Sequence, residues 1–308
     1  MISMIKNEKR KKPINWGKTS FIIFHLALGT INFIVFYLFS NAFSFVMGFM
    51  RKMDGITIFT MDNFKYFFES LTTGGELAEA FRNTFIWFVV NMSLQSLGFF
   101  VAYFLYKKIA CYQFFRLAFF IPGLISSIVT ANLWMSFCAP QGFFAQWVQK
   151  ISNLDYTPEL LADSRFALKT LLFRSVLFGF AGNMLLWCGT MSRIPDSVIE
   201  SGKIDGVGWL REACQIVVPM ILPTVAIQLC VALSGIFGSG GGEWLLTGGD
   251  YGTLTYSTWL WKQVFGSAID SNSHNISAAA GWITTLISLP IVLITRKIAN
   301  KISEGTEY

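Results

Sequence analysis

The 308 residues are 53% hydrophobic and only 14% charged, and the mean hydropathy is +0.51. A soluble domain of this size needs a more charged surface, so the composition fits lipid as the main solvent. The net charge of +6 does not point to nucleic acid, because the lysines and arginines stand at the ends of apolar runs, where they read as basic loops beside a membrane.

A basic segment, 1–20, opens the chain with Lys9-Arg10-Lys11-Lys12. The apolar run that follows, from Phe21 to about Phe49, is far longer than the core of a signal peptide and lacks a small-x-small cleavage site, so it is read as a retained first span. A bilayer core of about 30 Å needs roughly 20 mostly apolar residues in a helix. Six segments meet that requirement, at about 21–46, 83–106, 114–138, 170–190, 220–240 and 276–298. They predict an all-α membrane protein with about six transmembrane helices over 21–299 and a short tail at 300–308. All eighteen Asp and Glu residues fall outside the six segments. Arg174 is the one full charge well inside a span, close enough to its end to snorkel to the interface.

Orientation follows the basic residues. Fifteen of the 24 lysines and arginines fall in the N-terminal segment, around Lys107, Lys108 and Arg116, around Arg193, Lys203 and Arg211, and from Arg296 onward, which places both termini and the 191–219 loop in the cytoplasm. The external segments are long. Within the first of them, residues 62–81 have helical apolar spacing at Phe64, Phe67, Phe68 and Leu71, which predicts one surface-lying helix. The Gly238–Gly242 run and Thr247-Gly248-Gly249 mark an irregular loop. The five cysteines are scattered without a CxxC pair and only two histidines exist, so neither a disulfide framework nor a metal centre is expected.

The loop 191–219, MSRIPDSVIESGKIDGVGWLREACQIVVP, is far longer than a connection requires. Its polar start and amphipathic continuation predict two short helices. The first begins near Pro195 with Asp196 in its opening turn, and Gly206 and Gly208 allow a bend. The second sets Trp209, Ala213, Ile216 and Val217 on one side before Pro219 breaks it. The spacing Glu200-x-Gly202-x-x-x-Gly206, followed by Ile216-x-Val218-Pro219, with Asp205 before the glycine and Pro223 beyond, resembles the signature loop of binding-protein-dependent ABC import permeases. Ser201-Gly202 stands where that family usually has Ala-Ala, and Ala213 where an aromatic is common. Asn63-Phe64, Asn83-Thr84, Phe115-Arg116 with Pro122, Trp134 and Thr247-Gly248-Gly249 are similar, in that order, to the carbohydrate-uptake subgroup of maltose and glycerol-phosphate type, and to the first of its two permeases.

The resemblance implies a type I importer permease fold with no catalytic residue or cofactor of its own. It also implies a coupling helix between spans four and five, made by Glu200, Ser201, Gly202, Asp205, Gly206, Trp209, Ile216 and Pro219. That helix would dock on an ATPase subunit, with Glu200 offering charge and the Trp209 and Ile216 side offering apolar surface. A second homologous permease, two ATPase subunits that use ATP and Mg, an external substrate-binding protein and a bacterial-type cell membrane are implied in the same way. No phosphate-cradling glycine loop stands in the chain itself.

For the passage of a sugar, span five carries Gln228, Ala232, Gly235 and Ser239 at helical spacing, and span four carries Ser175, Gly179, Gly182 and Leu186 with Asn183 beside them. Such stripes fit either a translocation path or close helix packing. Gln228 and Asn183 are the favoured path residues, since a buried amide needs several partners. Asn91, Gln95, Asn132 and Trp187 are further candidates, while Trp134 and Trp282 are read as structural. The alternative is an ion-coupled secondary transporter or another polytopic membrane protein such as a channel or membrane enzyme. The first usually keeps a carboxylate or histidine relay in its spans, where only His25 stands, and the others would need a filter-like loop, a metal-binding His cluster or a nucleophile–base pair.

Overall fold

The computed structural model describes residues 16–53, 55–179, 182–266 and 272–304, so most of the basic N-terminal segment and the end of the tail lie outside the described residues. Helix dominates. α1 (Trp16–Gly48) passes through π-helical turns at Phe33–Phe39. Its large apolar side chains stay exposed, Phe24 at 77% and Leu28 at 80%, a surface that suits lipid and not water. An antiparallel hairpin follows, β1 (Met50–Met53) against β2 (Ile56–Phe59) with Met50 opposite Phe59, which departs from the all-helical expectation. The Asp54-Gly55 pair between the strands is the sequence signal for such a turn, and Gly55 takes φ +81°.

Next come α2 (Asp62–Thr72) and α3 (Glu76–Tyr106). The single surface helix expected over 62–81 is therefore two elements, parted at Gly74 and Gly75, and its second part is the opening of α3. The chain continues through α4 (Tyr112–Leu124), α5 (Ser127–Cys138), α6 (Phe143–Ile151), α7 (Ala167–Phe178) and α8 (Met184–Met191). It then forms α9 (Asp196–Ile204), α10 (Trp209–Met220), α11 (Leu222–Ser234), α12 (Glu243–Leu246), α13 (Tyr256–Phe265) and α14 (Ser273–Glu304).

Among the described residues, α1, α3 and α14 are each long and apolar enough to cross a membrane, and the bent pairs α4–α5 and α10–α11 match them when each is taken together. Three expected continuous spans are interrupted, among them 220–240, which bends at Ile221 and leaves α-helix at Gly235. Segment 114–138 turns by 97° at Ile125 and Ser126, which are both extended, and Pro122 has already removed a helical donor there. Segment 170–190 leaves helix at Gly179 and re-enters it at Met184, and the two glycines between weaken any helix across the gap.

Three buried clusters hold the bundle. Tyr103, Met184, Trp187, Met191, Ala213 and Val217 join α3, α8 and α10. Toward the other end of α3, Phe67, Leu77, Tyr256 and Trp259 join α2 and α13 to it, and Trp87, Trp134 and Leu171 bring in α5 and α7. Trp134 packs on Phe144, and Trp282 lies edge-on to Phe45. The paired motifs found in the sequence fasten irregular chain to helix. Asn63 Nδ2 donates to the Gly48 and Met50 carbonyls, Asn83 Nδ2 donates to those of Gly252 and Leu254, and Thr84 Oγ1 accepts from the Tyr256 N–H. Buried amide donors paired in this way fix one arrangement of a loop, although Asn63 Oδ1 stays buried without a partner.

Gly241 rests directly on the buried Trp87 indole, and a Cβ at that position would overlap the ring. Gly241→Ala is expected to cost about 1–3 kcal/mol of stability, seen as a lower melting temperature of the detergent-solubilised protein. Gly189→Ala meets nothing within 4 Å and lies within α8, so it is expected to hold or slightly raise that temperature.

Candidate functional site

α9 starts after Pro195 with Asp196 in its first turn. It ends in two reversed hydrogen bonds, from the Gly206 N–H to Lys203 O and from the Val207 N–H to Gly202 O. This closure needs a left-handed residue just past the cap, and Gly206 supplies it with φ +70°. Gly208 has ordinary extended geometry and caps α10, so only one of the two expected glycines makes the turn. Nor does Pro219 break the second helix. α10 runs through it to Met220, and the break falls at Ile221, where α10 and α11 meet at 85°. π-helical turns over Glu212–Val217 lie just ahead of the proline, where a widened helix relieves the clash of its ring with the preceding turn.

The residues singled out on this arm divide into two groups. Gly202 is buried against Ile216, whose Cδ1 would have to move to admit a Cβ. Ile216 therefore packs inside the chain and is not part of an outer apolar face, and Ala213 and Val217 are buried beside it. Glu200, Ser201, Asp205, Gly206 and Pro219 are exposed. So are Ile204 at 87%, Trp209 at 54% and Leu210 at 52%, although Trp209 keeps one side on Phe104. The outside of the turn thus sets three large apolar side chains among Glu200, Lys203 and Asp205, a surface of the kind that seats a partner.

Sequence reasoning missed the residue that anchors the arm. Glu212 is 3% exposed. Lys107 Nζ, just past the end of α3, donates to its Oε1 at 2.6 Å and Oε2 at 2.9 Å, and the Tyr103 hydroxyl donates to Oε1 at 3.1 Å. The negative end of the α3 dipole favours the ammonium at the same place. An acid beside Ala213 on the buried side of an amphipathic helix was the available signal.

A cavity of about 340 Å³ opens between α3, the α7–α8 break and α11, lined by Asn91, Gln95, Gly179, Asn183, Ala232, Gly235 and Ser239 among others. The two stripes do converge, but not as faces of continuous helices. Gly179 and Asn183 flank the break, Gly235 closes α11, and Ser239 follows a single 3-10 turn. Ser175 is buried in α7 outside the lining, and Asn132 bonds the Ile128 carbonyl of its own helix. Gln228 opens into an adjoining cavity of about 300 Å³ with Gln95, Trp187 and Cys214, and Met92 and Gln95 line both. Gly238 and Gly240 are shared with a third cavity, near Trp244 and Trp261.

Arg174 turns inward and does not snorkel. Its Nη1 donates to the Gly241 carbonyl at 3.1 Å and its Nη2 to Thr130 Oγ1 at 3.4 Å, leaving Nε buried without a partner. His25 bonds the Phe21 carbonyl within its own helix. Among the described residues, no group of His, Cys, Asp and Glu could hold a metal ion.

No family model matches the chain. It is 28% identical over 187 residues to the probable ABC transporter permease protein YurN of Bacillus subtilis, across 60% of this chain and 63% of that protein. It is 34% identical over 132 residues to the maltodextrin transport system permease protein MalD of Streptococcus pneumoniae, across 40% of this chain and 42% of that protein. Each match spans less than two thirds of the relative's length. The fold superposes with a TM-score of 0.76 and 19% identity on a chain of a bacterial ABC transporter involved in the import of the acidic polysaccharide alginate, over 93% of this chain and 97% of that one. The architecture is thus that of an ABC importer permease.

Removing one partner of the Lys107–Glu212 pair strands the other charge in a largely buried place. Glu212→Gln and Lys107→Met are each expected to destabilise the solubilised protein by about 2–4 kcal/mol. The double variant should lose clearly less than the sum, and a thermal-unfolding double-mutant cycle measures the difference.

Proposed function

We propose that the chain, related by sequence and by fold to the permease subunits of ABC importers, is one of the two permeases of an ATP-driven importer that moves a sugar or oligosaccharide across a bacterial-type cell membrane. The observation that carries this reading is the 196–220 arm, which presents an exposed apolar turn on its outside and is fastened to α3 on its inside. A free cytosolic loop has no need of either feature.

In this reading the arm is the coupling element. Glu200, Ser201, Asp205 and Trp209, with Ile204 and Leu210 added from the structure, meet an ATPase subunit. Gly202, Gly206, Ile216 and Pro219 give the arm its shape. Two ATPase subunits bind ATP and Mg, and this chain contributes no catalytic group. A second, homologous permease closes the cavities, an external binding protein delivers the solute, and both termini lie in the cytoplasm with about six spans between them.

Closure of the ATPase pair would push the arm and shift α3 and α11 together, so the cavity between them opens to alternate sides. Asn91, Gln95, Asn183 and Gln228 along this route can each donate and accept, which matches sugar hydroxyls. The Trp187 indole N–H, buried without a partner, adds a donor. The maltodextrin permease and the alginate transporter support carbohydrate as the solute class.

Affinity purification of the tagged chain in mild detergent is expected to bring down an ATPase subunit and a second permease, and recovery of the chain alone would contradict the reading. Glu200→Lys and Gly206→Val are expected to abolish uptake while membrane levels stay normal. Gln228→Leu should keep the fold and weaken apparent affinity for the carried sugar about tenfold, read from concentration-dependent uptake.

A further inference from the structure

The third cavity is explained neither by the arm nor by the small-residue stripes. Trp244 and Trp261 wall one side of it, packed on each other with their rings tilted at 47° yet still 43% and 38% exposed. Ser257, Thr258 and Glu243 complete the lining, with Gly238, Gly240 and Gly242 forming a floor without side chains.

Glu243 is 3% exposed and firmly held. Thr255 Oγ1 at 2.5 Å and Thr258 Oγ1 at 3.3 Å donate to its Oε1, and the Gly241 N–H donates to its Oε2 at 2.8 Å. A carboxylate offers about four acceptor positions, so these three bonds leave acceptor capacity on a residue that lines the cavity. The volume of about 340 Å³ falls in the lower range of small-ligand pockets.

Exposed indole surface beside the Glu243 carboxylate and the Ser257 and Thr258 hydroxyls matches the two aspects of a pyranose, whose C–H face packs on indole while its hydroxyl rim needs acceptors. The fixed carboxylate favours a neutral sugar over an anionic one. Gly238 and Gly240 also line the central cavity, so the two cavities adjoin at these glycines.

We propose that Trp244 and Trp261, with Glu243 and Ser257, form a neutral-pyranose subsite at the outer mouth of the passage. The proposal deepens the importer reading and rests on it for the outward placement of this cavity. Docking of a protein on the same tryptophans is a different use of the surface, and it predicts no sugar contact there.

Saturation-transfer NMR on the full chain in lipid nanodiscs tests the subsite, with methyl glucoside, methyl galactoside, methyl mannoside, maltotriose and glucuronate as probes. The unmodified chain is expected to saturate the ring C–H protons of at least one neutral probe, and those of glucuronate much less. The Trp244→Ala, Trp261→Ala double variant should lower the signal about fivefold, and the corresponding double Phe variant should retain most of it, which separates loss of the stacking wall from loss of fold. Absence of signal from every neutral probe with the unmodified chain, or an unchanged signal in the double Ala variant, overturns the subsite. Neither result touches recovery of the ATPase subunit with the chain, which decides the importer reading separately.

Discussion

The contact on which the arrangement depends is the grip of Lys107 and Tyr103 on Glu212. A carboxylate this deeply buried is costly unless its charge and lone pairs are answered, and here a bidentate ammonium and a phenol answer them. The requirement is geometric as well as electrostatic. α10 can only sit where its acid reaches the end of α3, so the arm has one docked position. Ala213 and Val217 then bury their apolar surface against the same cluster that holds Met184 and Trp187. The exposed turn around Gly206 is thereby presented in a fixed direction instead of hanging from the bundle.

A second constraint comes from the solvent. In lipid, unpaired backbone groups are tolerated only where protein or a water-filled cavity surrounds them. The break between α7 and α8 and the irregular chain from Gly235 to Gly242 both border the central cavity. Interrupted helix and polar lining are thus two aspects of one solution. The same logic applies to Arg174, whose guanidinium finds the Gly241 carbonyl inside the protein instead of reaching for the interface.

Much of this was legible in the sequence because the signals were long or redundant. The lipid-facing character follows from composition, and the turn at Gly206 follows from a glycine ten residues beyond the Asp196 that opens the helix. What escaped were features decided by pairing across the chain. Lys107 and Glu212 are far apart in sequence, and each alone reads as a solvated loop charge. The 97° turn in segment 114–138 leaves its hydropathy untouched, so a window that measures apolarity passes over it. The hairpin at 50–59 was marked by Asp54-Gly55 but lay in a segment judged only for helical spacing. Of the stripes on spans four and five, Gly179, Asn183, Ala232, Gly235 and Ser239 line one cavity while Ser175 and Gln228 do not, and the proximity of the first group is made partly by broken chain.

The sharp elbow at Ile221 has a mechanical consequence. α10 is about 18 Å long, and it meets α11 at 85° with Pro219 and Pro223 on either side of the corner. Prolines hold their own φ nearly fixed, which narrows the ways the chain can flex on either side of the corner. A rotation of about 10° about the corner would sweep the far end of such an arm by about 3 Å. A torque applied to the arm would reach α11 through the elbow and α3 through Glu212 together. Since Gln228 and Ala232 stand on one of those helices and Asn91 and Gln95 on the other, a single push on the arm would bear on both cavity walls.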